Sequence, residues 1–229
     1  MTAAEISSRI ITRIDDDPIT PVSVSAAEVL SAINEGQELA ALLTLCLQKT
    51  VDFNLSGAFY TPRSTFTDFL VPLRLSIGGV RVRPSTIAEF DAMNPEWQAT
   101  SGTPVRYCTL GSNFLAVTPQ AACTAQFTYA YSPAALETND TPVIPLAYHQ
   151  ALVEYGVYRA RLKEGAQQLA RGLGNLNTFL NSMQELGDLV RARSRAARYD
   201  VQPFELALFD RSKLIDEVLK WQAKSTPKK

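Results

Sequence analysis

Histidine is all but absent from this chain, with His149 the only one among 229 residues. That excludes a metal site built on paired imidazoles, and no H-E-x-x-H, G-x-S-x-G, Walker or dinucleotide fingerprint occurs. His149 stands five residues before Glu154, which is not a same-face step on a helix, so it reads as a histidine bonded to backbone or water at a helix start. Cysteine is also scarce. Cys46, Cys108 and Cys123 are odd in number and lack metal-ligand spacing, which suits buried thiols in a reducing compartment, with a Cys108–Cys123 bridge between neighbouring strands as the lesser alternative. No window approaches about 18 uninterrupted apolar residues, and no basic stretch followed by an apolar run opens the chain, so no membrane contact is expected and synthesis in the cytoplasm is. Neither charge sign dominates: 22 Lys and Arg face 23 Asp and Glu, for a net charge of -1. This balance argues against a dedicated nucleic-acid binder but allows a local basic patch. The run Asp15–Asp17 reads as a solvated loop, because three consecutive ligands rarely surround a cation. No cofactor, catalytic or metal-binding residue is assigned.

Helical signals frame the chain. Thr2 and Glu5 have capping-box spacing ahead of Ile6, Ile10 and Ile14, predicting a helix over residues 2–14. Ser25 and Glu28 repeat the box before an apolar stripe that includes Ile33, predicting a helix from about Ala26 to Lys49 that tolerates Gly36 at a cost of ~1 kcal/mol. Residues 64–133 change character, with short segments rich in β-branched and aromatic residues. In "TAQFTYAY" Ala125, Phe127, Tyr129 and Tyr131 alternate with polar neighbours, the period of a strand with one buried face. "GSN" between "VRYCTL" and "FLAV" carries hairpin chemistry. "STIAEFDAMNP" reads as a short helix capped at Ser85. After Pro145, well suited to a first helical turn, helical spacing returns. Leu169, Leu173, Leu176, Leu180, Met183, Leu186 and Val190 then recur at three- and four-residue steps, a narrow seam made for another helix. A helix from Ala166 to Ala197 would be ~48 Å long, more than one compact domain needs, and should project or meet a neighbouring subunit.

Arg191, Arg193, Arg195 and Arg198 crowd the end of that helix. Four guanidinium groups exceed what the helix dipole requires and suit docking on an acidic protein patch or on phosphates. The acidic N-terminal part offers a complementary patch on a neighbouring copy, and head-to-tail pairing of unlike patches closes rings. Beyond Pro203, Phe204, Leu206, Leu208, Phe209 and Trp221 are too apolar for a solvated tail and call for a partner surface.

Two stretches, "VSAAEVLSAINEGQELAALL" and "EWQATSGTPVRYCTLGSNFLAVTP…FTYAYSPAALETNDTPVIPLAYHQALVEYGVYRARLKEG", resemble the head-to-tail adaptor (connector) proteins of tailed bacteriophages. The shared features are an acidic or polar helix start ending in "NEGQ" before a sheet insertion and then a P-x-I-P-x-x-Y-H-x-x-L-x-x-Y helix, matched by Pro142, Ile144, Pro145, Tyr148, His149, Leu152 and Tyr155. The similarity spans about residues 26–165. It implies a non-enzymatic virion protein at the head-tail junction, forming a ring, commonly of twelve copies, between portal and tail nozzle or tube proteins. Genomic DNA would pass through the ring without sequence-specific binding. It also implies that the C-terminal segment clasps the portal through Arg191, Arg193, Arg195, Arg198, Phe204, Leu206, Leu208, Phe209 and Trp221. Ile33, Tyr148, His149, Leu152, Tyr155, Leu169, Leu173, Leu176, Leu180 and Met183 would pack the bundle and subunit contacts. A tail-tube or tail-completion ring protein, and a nucleic-acid-binding helical protein using the arginines, are the alternatives.

The expected fold is α+β, mainly α: a helical bundle with an inserted small antiparallel β element and an extended C-terminal arm. Its expected parts are 1–63, N-terminal helices; 64–142, inserted β region; 143–198, long C-terminal helices; and 199–229, docking arm.

Overall fold

The computed structural model describes residues 1–14, 24–111, 114–120, 122–163 and 166–196, without the side chains of 166–170, 195 and 196. In chain order the elements are α1 (Ala3–Arg13), α2 (Ala26–Thr44), β1 (Gln48–Leu55), β2 (Phe59–Tyr60), α3 (Pro62–Thr65), β3 (Phe69–Ile77), β4 (Val80–Pro84), α4 (Ile87–Met93), β5 (Arg106–Leu110), β6 (Phe114–Thr118), β7 (Cys123–Tyr131), a 3-10 turn (Leu146–Tyr148), α5 (His149–Lys163) and α6 (Ala166–Ala196). They form two compact units, one of Met1–Cys46 with Pro133–Arg193 and one built on Leu47–Ser132.

In the helical unit both capping boxes form as their spacing predicts, Thr2 with Glu5 and Ser25 with Glu28. α5 is the central element: Ala151, Leu152, Val153, Tyr155, Val157 and Ala160 are all buried, nearly all round the helix. A helix apolar on every side must be enclosed. α1 and α2 pack on it, and Phe179 of α6 meets Tyr155 with ring centroids 5.0 Å apart. The close approaches use glycine. A Cβ on Gly36 would lie 2.9 Å from Tyr155 Cδ1, and one on Gly156 only 2.2 Å from Ile10 Cδ1.

The sheet unit overturns the expectation of a mainly helical bundle with a small β element. Its seven strands run in the order β1-β7-β3-β4-β5-β6-β2, every neighbouring pair antiparallel except the parallel β4–β5. The sheet therefore curls on itself as a mixed half-barrel and owns a core of Phe53, Phe69, Leu75, Val82, Phe127 and Tyr129. Phe53 of β1 touches Tyr60 of β2, centroids 5.4 Å apart, so the two edges of the sheet approach each other. A second cluster, Phe90, Trp97, Cys108 and Ala116, lies where α4 covers β5 and β6.

Two local errors underlie the correction. The sheet begins at Gln48 rather than near residue 64, because α2 stops at Thr44 rather than Lys49. Leu45, the residue after the helix, is left-handed at φ 52° with its side chain buried, a conformation usually marked by glycine. Thr44 Oγ1 donates to the Ala40 carbonyl and accepts from Cys46 N–H, completing the stop. The strand signal was present in Val51, Phe53 and Leu55 alternating with Thr50, Asp52 and Asn54. The short helix α4 is capped by Thr86 rather than Ser85, which instead donates its hydroxyl to Glu89. All three cysteines are free, and Cys108 on β5 and Cys123 on β7 are not on neighbouring strands.

Candidate assembly surfaces

The motif that opens the second half of the chain builds the helical unit from the backbone outward. Residues 133–145 form no helix or strand before the 3-10 turn and would leave many backbone groups unpaired. α2 supplies their partners through two side-chain amides. Asn34 Nδ2 donates to the Leu136 carbonyl at 3.2 Å while its Oδ1 accepts from Leu136 N–H at 2.7 Å. Gln37 Oε1 accepts from Val143 N–H at 2.9 Å, and Nε2 donates to the Ala134 carbonyl at 3.4 Å. The same segment satisfies the open end of α1, since Ala3 and Ala4 N–H donate to the Asp140 and Thr138 carbonyls. Thus "NEGQ" is a clamp: two amides hold the segment and Gly36 between them admits Tyr155. Its first and last residues were not singled out from sequence.

His149 closes this corner. It is buried, one ring nitrogen 3.0 Å from the Ile144 carbonyl and the other 3.2 Å from the Met1 amino group. That pairing assigns the neutral tautomer with Nε2–H donating to the carbonyl and Nδ1 accepting. Both ring nitrogens are engaged in holding the first turn of α5.

A polar knot further along α5 was missed. Glu154, almost wholly buried, accepts from Arg13 of α1, from Asn175 of α6 at 2.7 Å and from Gln150 at 3.4 Å, and Arg161 donates to Asn175 at 3.1 Å. Burial pulls the Glu154 carboxyl upward, but the Arg13 and Asn175 hydrogen bonds, the Arg13 charge and Gln150 outweigh it, leaving the group below its ordinary value. Two ion pairs join α2 to α5 at the surface, Lys163–Glu28 at 2.6 Å and Arg159–Glu35 at 3.0 Å. Lys163 and the Ser25 cap together lower the Glu28 carboxyl to about 2. Burial and then the neighbouring Glu35 carboxylate push the Tyr155 phenol well above its usual range.

The residues expected to pack the bundle fall as follows. Ile33, His149, Leu152, Tyr155 and Met183 are buried, Tyr148, Leu176 and Leu180 are partly buried against the same core, and Leu173 is half-buried. The side chain of Leu169 lies outside the described residues. Met183 of the α6 seam is buried in the helical core, and Phe179, which was not on the predicted seam, meets Tyr155 of α5. Of the arginine cluster, Arg191 lies 3.4 Å from Asp188 and Arg193 is exposed. The side chain of Arg195, and all of Arg198, Phe204, Leu206, Leu208, Phe209 and Trp221, lie outside the described residues. Each unit also shows apolar side chains to solvent: Val143 and Leu146 beside the clamp, and Phe59 and Phe114 on the β2–β6 edge. Among the described residues there is no group of side chains able to hold a metal ion and no helix long and apolar enough to cross a membrane.

These features define an α+β protein with a helical unit and a curled-sheet unit, whose distinctive motif is spent on packing the helical unit. Residues 1–203 match the family model described as SU10 adaptor protein, and the chain belongs to this family of phage head-to-tail adaptors. No curated protein matches it. Membership implies a structural protein of the virion that contacts other head and tail proteins.

Proposed function

We propose that the chain forms a ring, dodecameric as the resemblance implies, between the portal and the tail nozzle or tube, around a channel for genomic DNA. The role is structural rather than enzymatic, with no cofactor. The helical unit carries the subunit contacts. The portal is held by Arg191, Arg193, Arg195 and Arg198 with Phe204, Leu206, Leu208, Phe209 and Trp221, since arginine and aromatic side chains are the usual anchors of interfaces. The parts of the chain are then the helical unit of Met1–Cys46 with Pro133–Arg193, the sheet unit built on Leu47–Ser132 and the docking arm 199–229. The observation that carries this reading is the family match over residues 1–203. A 31-residue α6 that carries Arg191 and Arg193 in its last turns supports it. Many weak copies of one contact around a ring hold firmly together.

The test is the mass of the purified protein by native mass spectrometry or light scattering, alone and with a portal ring, for the full chain and for a variant lacking residues 199–229. The full chain should join the portal in a defined multiple, and the shortened chain should stay folded and fail to join. A shortened chain that still joins would move the portal contact elsewhere, and one that unfolds would make the arm part of the core.

A further inference from the structure

The outer face of the curled sheet carries a feature that folding does not explain. On the inner face Leu75 pairs with Val82 and Tyr107 packs beside them. Strand alternation turns the next residues outward. Arg83 of β4 stands in register with Arg106 of β5, and Arg74 of β3 lies one step from the Leu75–Val82 pair, beside Arg83. Arg81 shares the face, opposite Ser76. Like charges directly across strands destabilise a sheet. Among the described cations of Leu47–Ser132, only Lys49 and Arg63 lie off this face. Glu89 of α4 lies 3.6 Å from Arg106, and Asp52 stands on β1, two strands from β3. Moreover, Arg74 Nε is buried without a hydrogen-bond partner, although buried donors are nearly always paired. Arg81 and Arg83 are exposed.

We propose that this arginine row, Arg74, Arg83 and Arg106 with Arg81, is a contact surface for the phosphate backbone of double-stranded DNA. At a strand spacing of ~4.8 Å the row is ~10 Å wide. A duplex carries one charge per ~1.7 Å of axis, so the row faces several phosphates at once. The surroundings select DNA over an acidic protein. Outward neighbours on β7 and β1 are Thr124, Gln126, Thr128, Thr50 and Asn54 with the single carboxylate Asp52 among them, and hydroxyls, amides and guanidinium groups are the side chains that hold phosphates. A protein interface needs an apolar centre, whereas the positions flanking the row, Thr124, Gln126, Thr128 and Ser76, are polar. Reading of sequence is not part of the proposal, which rests on backbone contacts alone. The inference rests on the proposed channel for the source of the duplex, but a single copy presents the whole row.

The experiment is binding of the full chain to a fluorescent random-sequence duplex of about 24 base pairs from 50 to 200 mM salt. The variants are R74Q/R83Q/R106Q, the single R83Q and the control R191Q/R193Q, with light scattering on the same samples. Affinity should fall steeply with salt. The triple variant should lose at least tenfold at the lowest salt and flatten the log-log slope by roughly 2–3, at ~0.9 per phosphate contact. R83Q, an exposed position whose melting should not change, should flatten it by ~0.9, so a misfolded triple variant leaves the test intact. Absence of binding overturns the proposal, as does a loss confined to R191Q/R193Q. Capture of a polyglutamate peptide in place of the duplex overturns it in favour of an acidic protein. A monomer that binds DNA through the row upholds it even if the ring reading fails, and a ring on the portal that ignores DNA overturns it alone.

Discussion

Replacing Gly156 by alanine tests whether the close crossing of α1 and α5 determines stability. In an isolated helix the change is favourable by ~1 kcal/mol. Here the added methyl would lie 2.2 Å from Ile10 Cδ1 and 2.9 Å from Cγ1, whereas carbon atoms in contact sit ~3.5–4.0 Å apart. Ile10 is fully buried, so it can yield only by leaving its rotamer or by lifting α1. Overpacking of this kind costs about 1–3 kcal/mol, and with the propensity gain set against the upper half of that range the net loss is ~1–2 kcal/mol. For a chain of this size the melting temperature should fall by about 2–8 °C. Gly174 is the internal control: it lies exposed in α6, and a Cβ there meets nothing within 4 Å. Gly174→Ala should therefore raise the melting temperature by about 2–4 °C. Ile10→Val removes the clashing Cδ1, so in the Gly156→Ala background it should restore stability, a coupling of at least ~1 kcal/mol in a double-mutant cycle. If Gly156→Ala stabilises as Gly174→Ala does, or if the cycle is additive, the close-crossing argument is refuted.

Acid should weaken the helical unit. Glu28, held at about 2 in the folded chain chiefly by Lys163 and then by Ser25, contributes stability that is present above its ordinary 4.5 and is lost as pH falls from there toward 2. Thermal melts against pH should show this decline, and Glu28→Gln should flatten it; an unchanged profile would discount the pair. Glu154→Gln should cost about 1–2 kcal/mol, because it weakens charge-assisted bonds from Arg13 and Asn175, with the loss softened by an Arg13 side chain 41 % exposed. A denaturation midpoint equal to the parent's would remove the knot from the account of stability. His149→Gln should cost about 1 kcal/mol and leave assembly intact, since it disturbs only the bonds to the Ile144 carbonyl and the Met1 amino group. Loss of assembly with normal melting would give the imidazole a role beyond packing.

What the chain alone determined is local. The capping boxes at Thr2 and Ser25, the period-two alternation through Phe127 and Tyr129, and the return to helix after Pro145 are written within a few residues, because a helix turn or strand pleat needs nothing more distant. The "YHQALVEYG" segment was legible as a packing element for the same reason. The end of α2 was not, since Leu45 takes a left-handed conformation that tertiary burial holds in place of a glycine signal. Nor were the partners of Asn34 and Gln37, about a hundred residues away in the chain, or the meaning of Gly36 and Gly156, whose missing side chains matter only where another helix crosses. Strand order decided most. Arg74, Arg83 and Arg106 are scattered and unremarkable in the sequence, and become one charged row only when β4 pairs in parallel with β5 across the intervening α4. Pairing between strands is a long-range contact with no periodicity of its own, so the size of the sheet and the face it presents belong to the tertiary structure.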